Sequence, residues 1–558
     1  MEIEFKFQIP ADRLAALKAD LRSAPTRRTR LRARYFDTAD GTLAAHGAVL
    51  RLRQEGDRWV QTAKALGDGP LHRLEHNADL GPVQGIEPPQ PDVRRHADTP
   101  VGERIARLLD AAAQPLVETY GTDIWRLARH VDVAAPHDGA VTTVELALDL
   151  GHVVATPAGS AAPRRSPVCE LELELVEGDI AGLVALAHRW SRAHGLWLST
   201  VSKAERGERL MAGTDAAPAV KARPPRFAIA VEKAAKGKGK GKGKSKTKTK
   251  AKAGRRTAPD GPSIQRAVVA ACLAQMLPNA SEIAAGHAAA EVVHQLRVGI
   301  RRLRTALREL DVLGPGFDPA WEAPLVEAFR GLGARRDQEL RAEKLGPRLD
   351  AAGAPPTALD ATPADAPAPG DLVRAPAFQG ALVGLIGFAA IDAPMAPERV
   401  AAAGDGEATE TAAPPAPLDA ADAHRALARR LRKLHRRLVE DAGRFDTLDA
   451  EARHDVRKKL KRLRYLTEFV APLFDAEGAE RYLTHLAPAQ DALGEANDEA
   501  SALEAFRAAA ATDPRAWFAV GWLSARQDAA TQAGHKALRG IAKAPKFWKK
   551  GGARTVAG

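Results

Sequence analysis

Met1-Glu2-Ile3-Glu4-Phe5-Lys6-Phe7 opens the chain, and its reading decides the fold. Strand side chains alternate between two faces, so Glu2, Glu4 and Lys6 point one way and Ile3, Phe5 and Phe7 the other. Standing alone, the stretch would equally suit an amphipathic edge strand with its charged face in water. Later segments repeat the pattern: Leu50-Arg51-Leu52-Arg53, Trp59 to Lys64, Arg73-Leu74-Glu75, Val144 to Asp149, and Cys169-Glu170-Leu171-Glu172-Leu173-Glu174-Leu175. Three carboxylates in register on one strand repel one another unless water or a cation intervenes. A closed antiparallel β-barrel reconciles these strands, with apolar faces outward under covering helices and with acids and bases lining the lumen.

Such a lumen joins two ligand chemistries. Lys6, Arg51, Arg53, Lys64 and Arg73 are candidates for phosphate oxygens; arginine offers a planar bidentate fork and lysine a point charge. Glu2, Glu4, Asp149, Glu170, Glu172 and Glu174 are hard oxygen donors suited to Mg²⁺ or Mn²⁺. One ion would bridge phosphate oxygens, and a second would activate water for in-line attack on phosphorus.

Glu2-x-Glu4-x-Lys6 resembles the signature of the CYTH superfamily, the triphosphate tunnel metalloenzymes. The resemblance continues in order through Tyr35-Phe36-Asp37, Leu50 to Arg53, Lys64, Arg73 to Glu75, Arg126, Asp149-Leu150-Gly151, Glu170 to Glu174 and Ser202-Lys203. It spans roughly the first 210 residues. It implies that the N-terminal glutamates and the late acidic strand hold metal while the basic residues clamp the substrate, with Glu2, Glu4, Lys6 and Lys64 the catalytic set. Asn77 departs from the pattern, because many members carry an acid there, and this weakens a metal role for Glu75. Glu145 reads either as a lumen carboxylate or as the partner of a neighbouring arginine.

At 558 residues the chain is too long for one ordinary core, so two or three domains are expected. A formal charge of +12 favours a polyanionic partner. Two cysteines, Cys169 and Cys272, make no disulfide framework and read as small buried hydrophobes in a reducing compartment. Charge begins at position 2, which argues against a signal peptide, and no apolar run reads as long enough to span a bilayer. A cytoplasmic protein, not engaged with membrane, is the expectation. No GxxxxGK[ST] is present, which argues against a P-loop nucleotide site. His137, His152 and His194 are scattered without ligand spacing.

The expected domains are a strand-rich module over 1–212, a lysine-rich disordered linker over 213–261, a helical module over 262–548 and a tail over 549–558. Lys236 to Lys252 alternates lysine with Gly, Ser, Thr and Ala and cannot bury a core. It reads as a self-repelling tether or as an electrostatic arm for polyphosphate, with nucleic acid as a weaker alternative. Pro10 to Leu21, Glu103 to Ala113 and Asp179 to His194 are expected helices of the first module. In the second, His294, Arg297, Arg301, Arg304 and Arg308 recur at helical spacing beside an apolar stripe. His454, Arg457, Lys461 and Arg464 repeat this at an offset of 160 residues (454 − 294). Leu332-Gly333 with Asp337 and Leu493-Gly494 with Asn497-Asp498 recur at nearly the same offset. An internal duplication follows, hence two pseudo-symmetric helical bundles. Gly346 to Gly370 and Ala393 to Leu418 read as loops, Leu372 to Ile391 as one helix and His424 to Leu438 as another, strongly basic one.

His294-x-x-Arg297-Val298-x-x-Arg301-Arg302-Leu303-Arg304 and its repeat are similar to the hallmark of CHAD domains, all-α modules that bind inorganic polyphosphate. Acidic i,i+4 partners look largely missing along both stripes, so the stripes form a groove for a linear polyanion. His294 and His454 read as pH-sensitive donors or as packing residues. The combined expectation is an α+β protein that hydrolyses inorganic triphosphate with Mg²⁺ or Mn²⁺ and binds polyphosphate, with polyphosphate granules as one destination. The alternatives are a non-enzymatic polyphosphate-binding protein, a CYTH-type adenylate cyclase and a thiamine triphosphatase.

Overall fold

The computed structural model describes residues 2–66, 72–83, 88–134, 139–157, 162–227, 230–232, 255–314, 316–357, 367–390 and 416–549. The first part of the chain runs β1 (Glu2–Gln8), α1 (Leu14–Leu21), β2 (Arg27–Thr38), α2 (Thr42–Ala45), β3 (Ala48–Glu55), β4 (Arg58–Leu66), β5 (His72–Pro82), α3 (Pro100–Ala112), β6 (Leu116–Ala134), β7 (Val141–Ala155), β8 (Arg164–Glu177), α4 (Ile180–His194), β9 (Trp197–Leu198) and α5 (Lys203–Ala212). These strands form one antiparallel sheet in the order β5-β4-β3-β2-β6-β7-β8-β1-β9.

The alternation sorts the two faces. Phe5, Phe7, Leu146, Leu148, Leu171 and Leu173 are buried in one cluster with Leu17 and Leu21 of α1 and Leu183 and Leu186 of α4. Their charged neighbours fall in register on the other face: Glu4 opposite Glu174, Lys6 opposite Glu172, Asp149 opposite Glu170, and Arg126 opposite Asp149. The expected closure needs correcting. The sheet curls until β1 meets β5, but only Glu2–Arg73 and Ile3–His72 pair across that seam. The same edge of β1 is taken at Phe7 and Gln8 by β9. A seven-residue strand has no room for a longer ladder on that side, so hydrogen bonds do not close the sheet into a continuous barrel.

A second correction concerns the concave face, which is not charged throughout. Leu31, Tyr35, Tyr120 and Ile124 form an apolar cluster there with Ala204 of α5. Gly207 lets α5 lie flat on the Tyr120 ring, because a Cβ at that position would sit 2.2 Å from it. One part of the hollow is therefore filled by a helix and another is left polar.

The second part runs α6 (Gly261–Ala284), α7 (Ala290–Leu310), α8 (Glu322–Ala351), α9 (Pro369–Arg374), α10 (Pro376–Ala390), α11 (Ala420–Ala442), α12 (Ala450–Val470), α13 (Ala476–Ala509) and α14 (Trp517–Ile541). Both ends of α12 repeat those of α7 at an offset of 160 residues (450 − 290 and 470 − 310). Aspartate caps start four of these helices: the side chains of Asp260, Asp419, Asp449 and Asp475 accept backbone N–H bonds in the first turn. Three expectations change here. α8 continues through Gly346 and Pro347, since Leu345 and Leu349 bury against Phe506 and Leu523 and packing outweighs local propensity. The single helix expected from Leu372 to Ile391 breaks at Ala375, because the residue before Pro376 is excluded from helical geometry. α6 is long and apolar enough, by length and composition alone, to cross a membrane (mean hydropathy 1.3 over its best window). That window is 67% buried inside the protein, as suits the central helix of a packed domain.

Ala230–Glu232 pairs antiparallel with Arg255–Thr257, and the lysine-rich stretch 236–252 between them lies outside the described residues. Of the expected inter-half loop, 391–415 does too. The two parts of the chain pack on a shared apolar surface. Val184 of α4 meets α10 at Gly387, where an added Cβ would lie 2.8 Å from it. Leu382, Val383 and Ile386 of α10 belong to the same buried cluster as Leu183 and Leu186.

Candidate active site and basic helical groove

The hollow is a cavity of about 990 Å³, lined by the apolar Leu31, Tyr35 and Ile124 as well as by charged side chains. β1 sends in Glu4 and Lys6, β3 Arg51 and Arg53, β4 Lys64, β6 Arg126, β7 Glu145 and Asp149, β8 Glu172 and Glu174, and the start of α5 Lys203. Glu170 is fully buried behind Lys203, and Gln8 donates to it at 3.4 Å. Glu2 and Arg73 occupy facing backbone positions at the seam, but their side chains lie outside the described residues.

The charges sort into three groups. The first centres on Lys203, whose Nζ lies 2.8 Å from Asp149 Oδ2, 2.5 Å from Glu170 Oε1 and 2.8 Å from Glu172 Oε1. Arg126 grips Asp149 with a bidentate fork, Nε to Oδ1 and Nη2 to Oδ2 at 2.7 Å each, and also donates to Glu172. Burial alone would neutralise Glu172, yet Lys203 and Arg126 hold its carboxyl well below the usual range. Asp149 is likewise held low against its burial by the same two cations. Burial opposes charge on Lys203 as well, but the three carboxylates keep it well above an ordinary lysine.

The second group is acidic and short of counter-charge. Burial raises Glu174, and Glu4, Glu145 and Glu75 add to the rise against the pull of Lys64. Lys64 Nζ is 2.5 Å from Glu75 Oε2, and Asn77 donates to the other oxygen of Glu75 at 2.9 Å. Glu145 faces the cavity and lies 3.4 Å from His130 Nε2, so its partner is a histidine in addition to any arginine. The third group is basic. Burial and the adjacent Arg51 lower Arg53, whose Nε donates to Glu55 at 2.6 Å. Burial lowers Lys6 against the attraction of Glu170, Glu4 and Glu172.

The donor set fits a divalent cation. Oxygens of Asp149, Glu170 and Glu172 lie within 4.8 Å of one another, and a divalent ion held there would add counter-charge beside Lys203. The group of Glu4, Glu174 and Glu145 is the other set of hard oxygens, and burial, with Glu4 and Glu145 close by, raises Glu174.

In the helical part, Arg297, Arg301, Arg457 and Lys461 gather where α7 and α12 approach. Burial, then Arg301 and Arg457, push Lys461 down to about 6, with Asp498 acting in the opposite sense. Arg297 donates to the Gly333 carbonyl at 3.2 Å and stacks over Phe329, as does Arg301. His454 Nδ1 is 2.9 Å from Asn497 Oδ1, joining two of the repeated landmarks; Asp337, the corresponding landmark, has its side chain outside the described residues. His294, Arg308 and Arg464 are exposed. The reading that acidic i,i+4 partners are missing needs correction at Arg464, while Arg304 finds its acid on another helix. Arg304 pairs with Glu322 of α8 at 2.6 Å, and Arg464 pairs with Glu468 at 2.6 Å.

Sequence reasoning missed Arg302 and its repeat Arg462, the next residues along from Arg301 and Lys461. Arg302 is buried on Glu468 at 2.5 Å, and Arg462 pairs at 3.0 Å with Glu309, a carboxylate that Arg430 of α11 also reaches at 2.5 Å. Each turns to a carboxylate on the other helix of the pair, and a lone sequence does not display that. It also missed α5 as the element that carries Lys203 into the hollow. The available signal was Ser202-x-x-Glu205, a capping box whose Ser202 Oγ accepts from Glu205 N at 3.0 Å.

Together these features define a curved sheet around a metal- and anion-compatible hollow, joined to a duplicated helical domain with a basic seam. Residues 1–207 match the family model described as the CYTH domain, and residues 267–507 match that of the CHAD domain. The chain is a CYTH–CHAD protein, and it fits the triphosphate tunnel metalloenzymes, whose CYTH members are triphosphatases or cyclases. Similar solved structures include the CHAD domain from the plant Ricinus communis, at 25% identity over 52% of this chain and 94% of that one, with a TM-score of 0.37. A putative adenylyl cyclase from Hippeastrum, described as having a dominant triphosphatase activity, is 17% identical over 38% of this chain and 97% of that one, with a TM-score of 0.27. A putative adenylate cyclase from Bacillus halodurans is 19% identical over 34% and 90%, with a TM-score of 0.22.

Proposed function

We propose that the cavity hydrolyses inorganic triphosphate with Mg²⁺ or Mn²⁺ and that the helical domain binds polyphosphate. The observation that carries this is the cavity's division into a cationic wall and two carboxylate groups around one hollow of about 990 Å³. Arg51, Arg53, Arg126 and Lys6 meet the oxygens of a linear polyanion, and Lys64 balances the acidic end. Held away from bulk water, these contacts act more strongly than they would on a surface and orient the chain for in-line displacement. Glu4 and Glu174 on adjacent strands, with Asp149, Glu170 and Glu172, are the residues that would hold metal. A divalent ion bound there would supply charge neutralisation at the phosphoryl oxygens and a more acidic water. The carboxylates nearest the scissile bridge then accept the proton that water gives up.

In the helical domain, Arg297, Arg301, Arg457 and Lys461 form a seam whose mutual repulsion is relieved by a polyanion. This supports polyphosphate as partner and polyphosphate granules in the cytoplasm as a destination. The test is phosphate release from tripolyphosphate with Mg²⁺ or Mn²⁺ by the wild type and Glu4→Gln. Loss of about a hundredfold or more in the variant is expected, by analogy with removal of one electrostatic catalytic group. Equal rates, or release by neither protein, would reject the hydrolase reading and favour a polyphosphate-binding protein without enzymatic activity.

A further inference from the structure

Between Trp197 and Val220 the chain leaves the sheet, enters the cavity at Lys203 and runs along the helical domain. Its backbone is held there by side chains of that domain. Gln379 of α10 accepts from Leu198 N at 2.8 Å, and Ser281 of α6 accepts from Thr200 N at 3.2 Å. Glu282 of α6 accepts from Arg209 of α5 and, at 3.4 Å, from Ala217 N. Each of these polar side chains is almost fully buried, Gln379 at 2%, Ser281 at 4% and Glu282 at 4% exposure.

Their placement is unusual for an apolar core helix such as α6. Buried polar groups cost free energy unless they are hydrogen-bonded, and among the described residues it is largely this crossing segment that satisfies Ser281 and Glu282. His287 adds a third contact to Glu282 at 3.1 Å. The segment they hold ends at the N-cap of α5, one residue before Lys203, and Arg209 fixes the other end of that short helix. Lys203 must place one ammonium within hydrogen-bonding distance of three carboxylates, a geometry that a small shift of α5 would spoil.

We infer that Glu282, Ser281 and Gln379 of the helical domain are positioning residues for Lys203, so the helical domain completes the phosphate-binding cavity of the sheet domain. The inference rests on the cavity being a triphosphate site, and it makes the second domain part of that site instead of an independent appendage. Glu282 acts at a distance through Arg209 and α5, and it touches no ligand itself.

A double-mutant cycle on the full chain tests this. Glu282→Ala, Lys203→Met and the pair are titrated with tripolyphosphate by calorimetry, and KM and kcat are measured alongside. Glu282→Ala is expected to weaken tripolyphosphate by about tenfold, the scale on which outer-sphere supports act, and to add nothing once Lys203 is gone. Ser281→Ala, deleting its hydrogen bond to the segment, and Gln379→Ala, deleting that to Leu198 and one to the Val373 carbonyl, serve where Glu282→Ala melts below the assay temperature, and they are expected to show smaller losses with the same dependence on Lys203. An effect of equal size with and without Lys203, or affinity unchanged in all three variants, overturns the assignment. Binding by the wild type without phosphate release would reject the hydrolase reading while leaving the cycle readable in affinity. No binding by the wild type overturns both.

Discussion

The sheet cavity and the helical seam both collect cations, but they treat them in opposite ways. In the cavity, Arg126 and Lys203 are neutralised by buried carboxylates from neighbouring strands, so this part of it is already a satisfied ion network. At the seam, burial and then the neighbouring Arg301 and Arg457 suppress the charge of Lys461, with Asp498 working against them. A ligand entering the cavity must exchange partners, whereas a ligand at the seam relieves a repulsion. The first arrangement suits selective chemistry on a short substrate with a metal; the second suits permissive capture of a long chain.

The largest contrast should appear in stability. Lys203→Met leaves Asp149, Glu170 and Glu172 buried with one cation fewer, and breaking a buried network in this way typically costs about 3–5 kcal/mol. Arg297→Ala at the half-exposed seam is expected to cost about 1 kcal/mol or less. Denaturant unfolding of the two variants measures both, and equal losses would erase the distinction between the regions.

Salt should separate them next. With about five phosphate contacts at the seam and a slope near −0.7 per contact, polyphosphate affinity should fall about a hundredfold between 50 and 200 mM salt. Removing Arg457 should reduce that slope. A flat salt response, measured by titration with long-chain polyphosphate, would mean that the seam is not the docking site.

The smallest effect is a pH dependence. Lys461 is held at about 6 in the free protein, so above that pH most of the protein carries it neutral. A bound polyanion favours the ammonium and raises its pKa, so binding takes up a proton between about pH 6 and the bound value. Affinity therefore increases as pH falls from 8 towards 6, by at most about tenfold per unit, and flattens below 6 where the free protein is already charged. Calorimetry in buffers of different ionisation enthalpy would detect that proton, and Lys461→Arg should abolish it.

Much of the cavity was legible because strand geometry has a period of two. Once Glu2-Ile3-Glu4-Phe5-Lys6 is read as a strand, the inward direction of Glu4 and Lys6 follows, and the same rule handles Arg51, Arg53, Asp149, Glu172 and Glu174. The duplication was legible because α7 and α12 carry the same spacing on helices of equal length. Arg302 and Arg462 escaped because a helical period cannot say which carboxylate of a neighbouring helix a residue beside the stripe will meet. Closure of the sheet was over-read, because alternation specifies faces and not the length of the final ladder.

The chain's own pattern thus determined which residues share a face, where the helices repeat and which charges meet a polyanion, since these depend on local periodicity. Only the tertiary structure decided that Lys203 stands among three carboxylates and that Glu282 and Gln379 secure the segment bearing it. Those contacts join residues far apart in sequence: α5 lying on β7 and β8 brings Lys203 to its carboxylates, and the packing of α4 and α6 with α10 joins the two parts of the chain, with no local periodicity to announce either.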